Sequence, residues 1–168
     1  MHKLLFEYAC RILTRRRYTV TELRKKLTQR VLLYTRRTGK NSLAKEDLKV
    51  AAAKHDSTVE AVITQLLGLK FLDDKEYVQL FIEDQLRRKP QGVRLLKRSL
   101  SHKGIAGDLI QMAIKANLPD ELELARAAVQ KKMRSLQKAT PQKRKEKLYR
   151  FLASRGFESG VILKVVKE

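Results

Sequence analysis

One stretch of this chain is written twice. Leu95-Leu96-Lys97-Arg98-Ser99-Leu100-Ser101-His102-Lys103-Gly104-Ile105 returns as Lys147-Leu148-Tyr149-Arg150-Phe151-Leu152-Ala153-Ser154-Arg155-Gly156-Phe157, at an offset of 52 residues. Leu96, Arg98, Leu100 and Gly104 fall on Leu148, Arg150, Leu152 and Gly156, and Lys103 falls on Arg155. Beyond the glycine, Leu109, Ile110, Ala113 and Ile114 fall on Val161, Ile162, Val165 and Val166. The apolar positions recur at helical spacing on both sides of the glycine. The glycine itself supplies the left-handed residue that closes a helix. Each copy therefore reads as a helix, a turn and a second helix, preceded by one longer helix over 74–88 or 120–137. A unit of roughly 50 residues buries too little surface to stand alone, so such units stack on their neighbours.

A weaker third copy lies at the N-terminus, where Leu23 and Leu27 match Leu96 and Leu100 at an offset of 73. Val31 stands near the place of the glycine, so this helix is expected to run on towards Tyr34. An insertion of about residues 32–56 follows. Thr38-Gly39-Lys40-Asn41 reads as its loop, and Leu43, Leu48, Val50, Ala51 and Ala52 as one extra helix. Helix starts are marked by capping boxes at Thr19-Val20-Thr21-Glu22 and Ser57-Thr58-Val59-Glu60, and by Asp73-Asp74-Lys75-Glu76. Pro119 and Thr140-Pro141 mark two more. No run alternates at strand spacing. The expectation is an all-α protein of three tandem three-helix, helix-turn-helix-like repeats, over 1–72, 73–118 and 119–168, with an extra inserted helix in the first repeat.

Composition narrows the function. The 168 residues hold 38 Lys+Arg and 18 Asp+Glu, a formal net charge of +20. The surplus is +10 over 1–72, +3 over 73–118 and +7 over 119–168, so it is no detachable basic arm. Charge of this size calls for a polyanionic partner, and nucleic acid or a nucleoprotein assembly leads an anionic membrane. The single Cys10 excludes an internal disulfide and reads as a buried structural thiol. Without an apolar leader or a long apolar span, a cytoplasmic chain is expected.

Several segments resemble the RecX family of recombinase regulators. Gly68-Leu69-Lys70-Phe71-Leu72-Asp73-Asp74-Lys75-Glu76-Tyr77 is similar to its "GYLDD-x-x-F/Y-A" signature, and Arg87-Arg88-Lys89-Pro90-Gln91-Gly92 to its "R-x-x-x-G" stretch. Leu100 to Ile105 resembles its "L-x-x-KGI", and Arg150 to Phe157 its "R-F-L-x-R-RGF". Tyr8 to Leu13 and Glu22 to Leu27 resemble its opening helix pair. Phe71 stands where Tyr is usual, Val78 replaces an alanine, and Lys70 occupies a place where Gly is common. The resemblance implies three tandem three-helix bundles in an elongated, curved arrangement. It also implies a non-enzymatic regulator that binds RecA protein and its filament on single-stranded DNA, blocking ATP hydrolysis, strand exchange and co-protease activity. Single-stranded DNA is implied as a direct partner, with double-stranded DNA as a further one. A monomer is expected, since the apolar stripes are used up within the bundles.

The residues put forward for RecA or DNA contact are Arg15, Arg16, Arg17, Lys25, Lys26, Arg87, Arg88, Lys89, Arg94, Lys97, Arg98, Lys103, Arg150 and Arg155. They cluster at unit junctions and on non-apolar helix positions, where phosphate contact and ordinary solvated surface compete as explanations. Tyr77 and Phe81 share the apolar spacing of Leu80 and read as core rather than stacking platforms. Asp73 and Asp74 read as a helix cap rather than a metal site. His2, His55 and His102 are scattered, and no phosphate loop or zinc spacing is present, so neither catalysis nor a cofactor is expected. A general helical DNA-binding protein or a helix-turn-helix transcription regulator is the alternative, but Ala106-Gly107-Asp108 offers no Arg, Asn or Gln at a recognition-helix start.

Overall fold

The computed structural model describes residues 1–38 and 45–167, with side chains over 1–37 and 55–167. The described residues form nine α-helices, one 3₁₀ turn and no strand, so the chain is all-α. The helices are α1 (His2–Leu13), α2 (Val20–Thr38), α3 (Lys45–Gly68), α4 (Asp74–Arg88), α5 (Val93–His102), α6 (Gly107–Asn117), α7 (Glu121–Met133), α8 (Pro141–Ser154) and α9 (Ser159–Lys167). The 3₁₀ turn, Arg134–Leu136, follows α7 directly. None of these helices is long and apolar enough to cross a membrane. The chain divides into two compact units, Met1–Tyr77 and Val78–Glu168, with the division inside α4.

In the first unit α1, α2 and α3 pack on one another. Leu23, Leu27 and Val31 of α2 share a core with Leu5 and Ala9 of α1 and with Val59, Val62, Ile63 and Leu66 of α3. Each leucine so buried contributes about 2 kcal/mol. The start of α2 is the capping box that the sequence announces. Thr19 Oγ1 accepts from the Glu22 N–H at 3.1 Å, and Glu22 Oε2 accepts from the Thr19 N–H at 3.4 Å. Arg24 grips Glu60 of α3 with two hydrogen bonds and holds that carboxyl below its usual range. With the two side chains 40% and 43% exposed, the pair contributes about 1 kcal/mol or less.

The two adjacent carboxylates Asp73 and Asp74 have different tasks. Asp73 Oδ1 accepts from the Lys75 and Glu76 N–H groups at 2.8 and 3.1 Å and caps its own helix, α4. Asp74 Oδ1 accepts at 3.0 Å from the N–H of Val20, the first helical residue of α2. The second unit repeats the device. Asp120 Oδ1 caps α7 through the Leu122 N–H at 3.2 Å, while Glu121 Oε1 accepts at 3.0 Å from the N–H of Val93, the first residue of α5.

In that second unit α5 packs on α6, and α7, α8 and α9 enclose Ala125, Ala128, Leu152, Phe157, Ile162 and Val165. Gly104 (φ 76°) and Gly156 (φ 78°) end α5 and α8 in the left-handed conformation. In each case the next residue's N–H bonds back to a leucine carbonyl, Ile105 to Leu100 at 3.2 Å and Phe157 to Leu152 at 3.3 Å, the pattern of a Schellman closure. The end of α3 closes in the same way, Phe71 to Leu66 at 2.9 Å, but its left-handed residue is Lys70 at φ 57°.

The structure corrects several expectations. Among the described residues the inserted helix is not separate, because α3 runs unbroken from Lys45 to Gly68 through the Ser57 capping box. Residues 45–60 contain neither Gly nor Pro, and the chain is already helical on reaching Ser57, so the motif has no free N–H group to serve. The expected loop at 38–41 and Leu43 fall largely outside the described residues. Pro119 precedes the N-cap, Asp120, rather than opening α7, which ends at Met133. Thr140 occupies the N-cap of α8 without a side-chain capping bond. The fully buried residues of α4 are Val78 and Ile82, while Tyr77 and Phe81 are half-buried. Cys10 is half-buried against the first core rather than enclosed by it.

Three stability predictions follow from this geometry. Gly92 has φ −78° and ψ 165°, which any residue adopts. A Cβ there, however, would collide with the Gly156 carbonyl oxygen and the Phe157 backbone. Gly92→Ala is expected to lower stability in urea unfolding by about 3 kcal/mol or more, whereas Gly107→Ala, where a Cβ meets open space, leaves it nearly unchanged. Lys70→Gly relieves the left-handed strain and is expected to stabilise by about 1 kcal/mol. Burial pushes the Asp74 and Glu121 carboxyls above their ordinary values, despite the backbone N–H that each accepts. The folded state therefore holds these two protons more readily than the unfolded chain. Their favourable contribution is full below about pH 4 and is lost as pH rises through the raised values. Asp74→Asn keeps an acceptor and removes the buried charge, so it should match or exceed the parent at pH 7 and lose that advantage towards pH 4. Asp74→Ala leaves the Val20 N–H unanswered and should cost about 1 kcal/mol.

Candidate polyanion interface

The fourteen cations put forward from sequence fall into two groups. One group is held by the fold. Arg16 lies 4.0 Å from the Tyr18 ring centroid, and the Lys103 amine lies 5.8 Å from that of Phe81. Arg87 and Arg88 both pair with Asp84 in the last turn of α4, and Arg150 pairs with Glu146 one turn earlier on α8. Arg155 is the most committed. Its guanidinium lies 4.6 Å from the Phe151 ring centroid, and its Nη1 donates to the Pro90 carbonyl at 3.1 Å.

The other group faces water. Arg15, Arg17, Lys25, Lys26, Lys89, Arg94, Lys97 and Arg98 are exposed and make no ion pair among the described residues. Arg15 and Arg17 follow the C-terminus of α1, and Lys89 that of α4, where cations also offset the helix dipole. Lys25 and Lys26 lie on the outer face of α2. Arg94, Lys97 and Arg98 stand at i, i+3 and i+4 on α5, opposite the buried Leu96 and Leu100. The first turn of α5 itself holds no acidic residue, but the Glu121 carboxylate of α7 already sits on its N-terminus, so attraction for an anion rests on the three cations.

Helix α5 is also firmly positioned at its start. Its first three backbone donors all end on residues from α7 or the α8–α9 turn. The Gly92 N–H bonds the Arg155 carbonyl at 3.0 Å and the Arg94 N–H the Gly156 carbonyl at 3.2 Å. The Val93 N–H bonds Glu121. The "R-x-x-x-G" stretch thus seats the arginine-glycine turn that follows α8.

Sequence reasoning missed Lys132 and Lys147. With Arg150 they line an open groove of about 550 Å³ between the end of α7 and α8. Lys147 stands one turn before Phe151 and was legible as an exposed position of α8, but its neighbour Lys132 lies on another helix. Arg11 and Arg30 were missed too; their guanidiniums lie 5.7 and 5.1 Å from the Tyr8 ring centroid. Among the described residues no group of three His, Cys, Asp or Glu side chains is placed to hold a metal ion.

Comparison with known proteins agrees with this architecture. The family model for the second three-helix domain of RecX matches residues 73–114, and that for the third matches residues 119–166. Regulatory protein RecX of Clostridium botulinum strain Eklund 17B is 37% identical over 127 residues, covering 74% of this chain and 58% of the relative. The chain thus spans little more than half the length of that protein. Regulatory protein RecX of Pelodictyon phaeoclathratiforme is 34% identical over 123 residues, 71% of this chain and 76% of the relative. The crystal structure of RecX from Lactobacillus salivarius superposes with a TM-score of 0.73 at 17% identity, over 99% of this chain and 94% of that one. Two matched domains, and a relative at this identity covered over three quarters of its length, place the chain in the RecX family of regulatory proteins.

Proposed function

We propose that this chain is a non-enzymatic regulator of homologous recombination, which binds RecA protein and its filament on single-stranded DNA and inhibits ATP hydrolysis, strand exchange and co-protease activity. The observation that carries the reading is the match to two consecutive RecX domains in relatives named regulatory proteins. The free cations support it, since they lie on exposed helix faces in both units rather than around an enclosed site. On this reading residues 1–72, 73–118 and 119–168 act as three successive domains, and the protein works as a monomer. Single-stranded DNA is a direct ligand, and double-stranded DNA a second one.

The mechanism is a clamp. Cations spread over several three-helix units meet phosphates and acidic protein surface at once, and restrict the subunit movement that hydrolysis and homologous pairing require. The α5 stripe of Arg94, Lys97 and Arg98 is the strongest single contact surface, because its helix is anchored at the start by three backbone hydrogen bonds.

The test is RecA's ATP hydrolysis on single-stranded DNA as the chain is titrated in at near-physiological salt, beside a lysozyme-sized basic protein as charge control. Hydrolysis should fall at low ratios to RecA, with the control inert. Arg94→Gln/Lys97→Gln/Arg98→Gln together should raise the half-inhibiting concentration roughly tenfold with the melting temperature unchanged. Equal inhibition by the control protein would leave charge alone as the explanation and overturn the reading.

A further inference from the structure

We infer that the groove between the end of α7 and α8 is a binding site for the sugar-phosphate backbone of a nucleic-acid strand, an inference that rests on the function proposed above and adds a DNA contact in the third three-helix domain. Three cations line the groove, Lys132 from α7 and Lys147 and Arg150 from α8, and no carboxylate does. Their positions are built rather than incidental. The Lys132 amine lies 5.6 Å from the Phe151 ring centroid, which ties it to the groove wall. The Lys132 carbonyl accepts from Ser135 Oγ at 2.8 Å, which tightens the 3₁₀ turn beneath it. Lys147 and Arg150 stand one turn apart on the same exposed face of α8. Arg150 pairs with Glu146, but a guanidinium carries five N–H donors, and an exposed pair of this kind is weak enough to share.

The kind of partner follows from what the groove lacks. A protein partner would need an apolar anchor point at the centre of the contact. Here Leu136 is buried, and Phe151 is half-buried with Lys132 and Arg155 over its ring. Three cations with no carboxylate among the lining suit a polyanion that gains affinity by releasing its counterions. Lysine and arginine side chains on exposed helix positions reach phosphate oxygens without reading a base edge, so the contact is with phosphate and is indifferent to sequence.

The experiment measures binding of a fluorescent single-stranded oligonucleotide by anisotropy over a series of salt concentrations. It compares the parent with Lys132→Gln/Lys147→Gln/Arg150→Gln and with a charge-matched control, Lys115→Gln/Lys164→Gln/Lys167→Gln, which alters exposed cations of α6 and α9. With about 0.7 of a unit of log-log salt slope per single-strand phosphate contact, the groove variant should lose about 2 units of slope and bind roughly tenfold more weakly. The control should change far less. Lys147→Gln alone, a fully surface change, should remove about 0.7 of a unit even if the triple variant folds poorly. Equal losses in groove and control variants would overturn the site in favour of overall charge. Unchanged DNA binding by the groove variant would overturn it as well, and if RecA inhibition alone were lost the groove would be a protein contact. A parent chain that failed to bind the oligonucleotide and failed to inhibit RecA would instead bring down the proposed function itself.

Discussion

The start of α5 has no acceptors of its own. A helix leaves its first backbone N–H groups without intrahelical partners, and water or a side chain usually answers them. Here Gly92, Val93 and Arg94 donate to Arg155, Glu121 and Gly156. The contact brings backbone against backbone, which is why position 92 admits no side chain. A left-handed glycine closes its helix and turns the chain sharply, and at Gly156 the freed carbonyl becomes an acceptor for another helix. Helix α2 depends on a distant carboxylate in the same way, through Asp74 and Val20. Helix α8 opens on Pro141, whose nitrogen carries no proton, and so has one donor fewer to satisfy.

The cations divide along the same lines. Arg155 is a member of this backbone network, holding the Pro90 carbonyl and covering Phe151. Its equivalent by repeat, Lys103, lies over Phe81. Both stand immediately before the left-handed glycine, but Phe151 belongs to the helix that ends there, whereas Phe81 belongs to the earlier helix α4. Repeat equivalence therefore marks a structural cation at this position. It does not do so for Arg98 and Arg150, of which the first faces water and the second pairs with Glu146.

What the sequence could disclose was set by the range of the interaction. Gly104 and Gly156 were legible because a positive φ restricts the residue type at that position. Thr19 and Glu22 were legible because both halves of their capping box lie within four residues. The same motif misled at Ser57, since a capping box is informative only where a helix begins, and nothing local reports that α3 has already begun at Lys45. The partners of Asp74 and Glu121 lie 54 and 28 residues away, beyond any local pattern. The burial of Val78 and Ile82 instead of Tyr77 and Phe81 is a rotation of about one residue, or roughly 100°, around α4. An amphipathic pattern with apolar residues at 77, 78, 80, 81 and 82 does not fix that rotation. Lys132 and Lys147 escaped notice for a related reason: the groove they form joins the end of one helix to the face of another.

The acidic residues complete the picture, because their placement determines what the cations present to a partner. Asp73, Asp120 and Glu22 are occupied with helix starts, and Asp74 and Glu121 are partly buried in the same service. Glu60, Asp84, Glu123 and Glu146 are engaged with arginines. Burial raises the Asp74 and Glu121 carboxyls even within a chain of formal charge +20, whose field by itself favours ionised acids. Desolvation is the largest cause at both positions, and neighbouring carboxylates add to it, Asp73 and Glu22 beside Asp74, and Glu158 and Asp120 beside Glu121. A neutral amide would serve each helix start with less penalty near neutral pH, so bonding to an N–H does not by itself account for a carboxylate there. One consequence of this arrangement is electrostatic. Acidic charge is drawn into helix starts and ion pairs, while Arg94, Lys97, Arg98, Lys25 and Lys26 stay exposed without one among the described residues. Exposed cations in excess of the exposed carboxylates, on short and mutually anchored helices, suit contact with a polyanion.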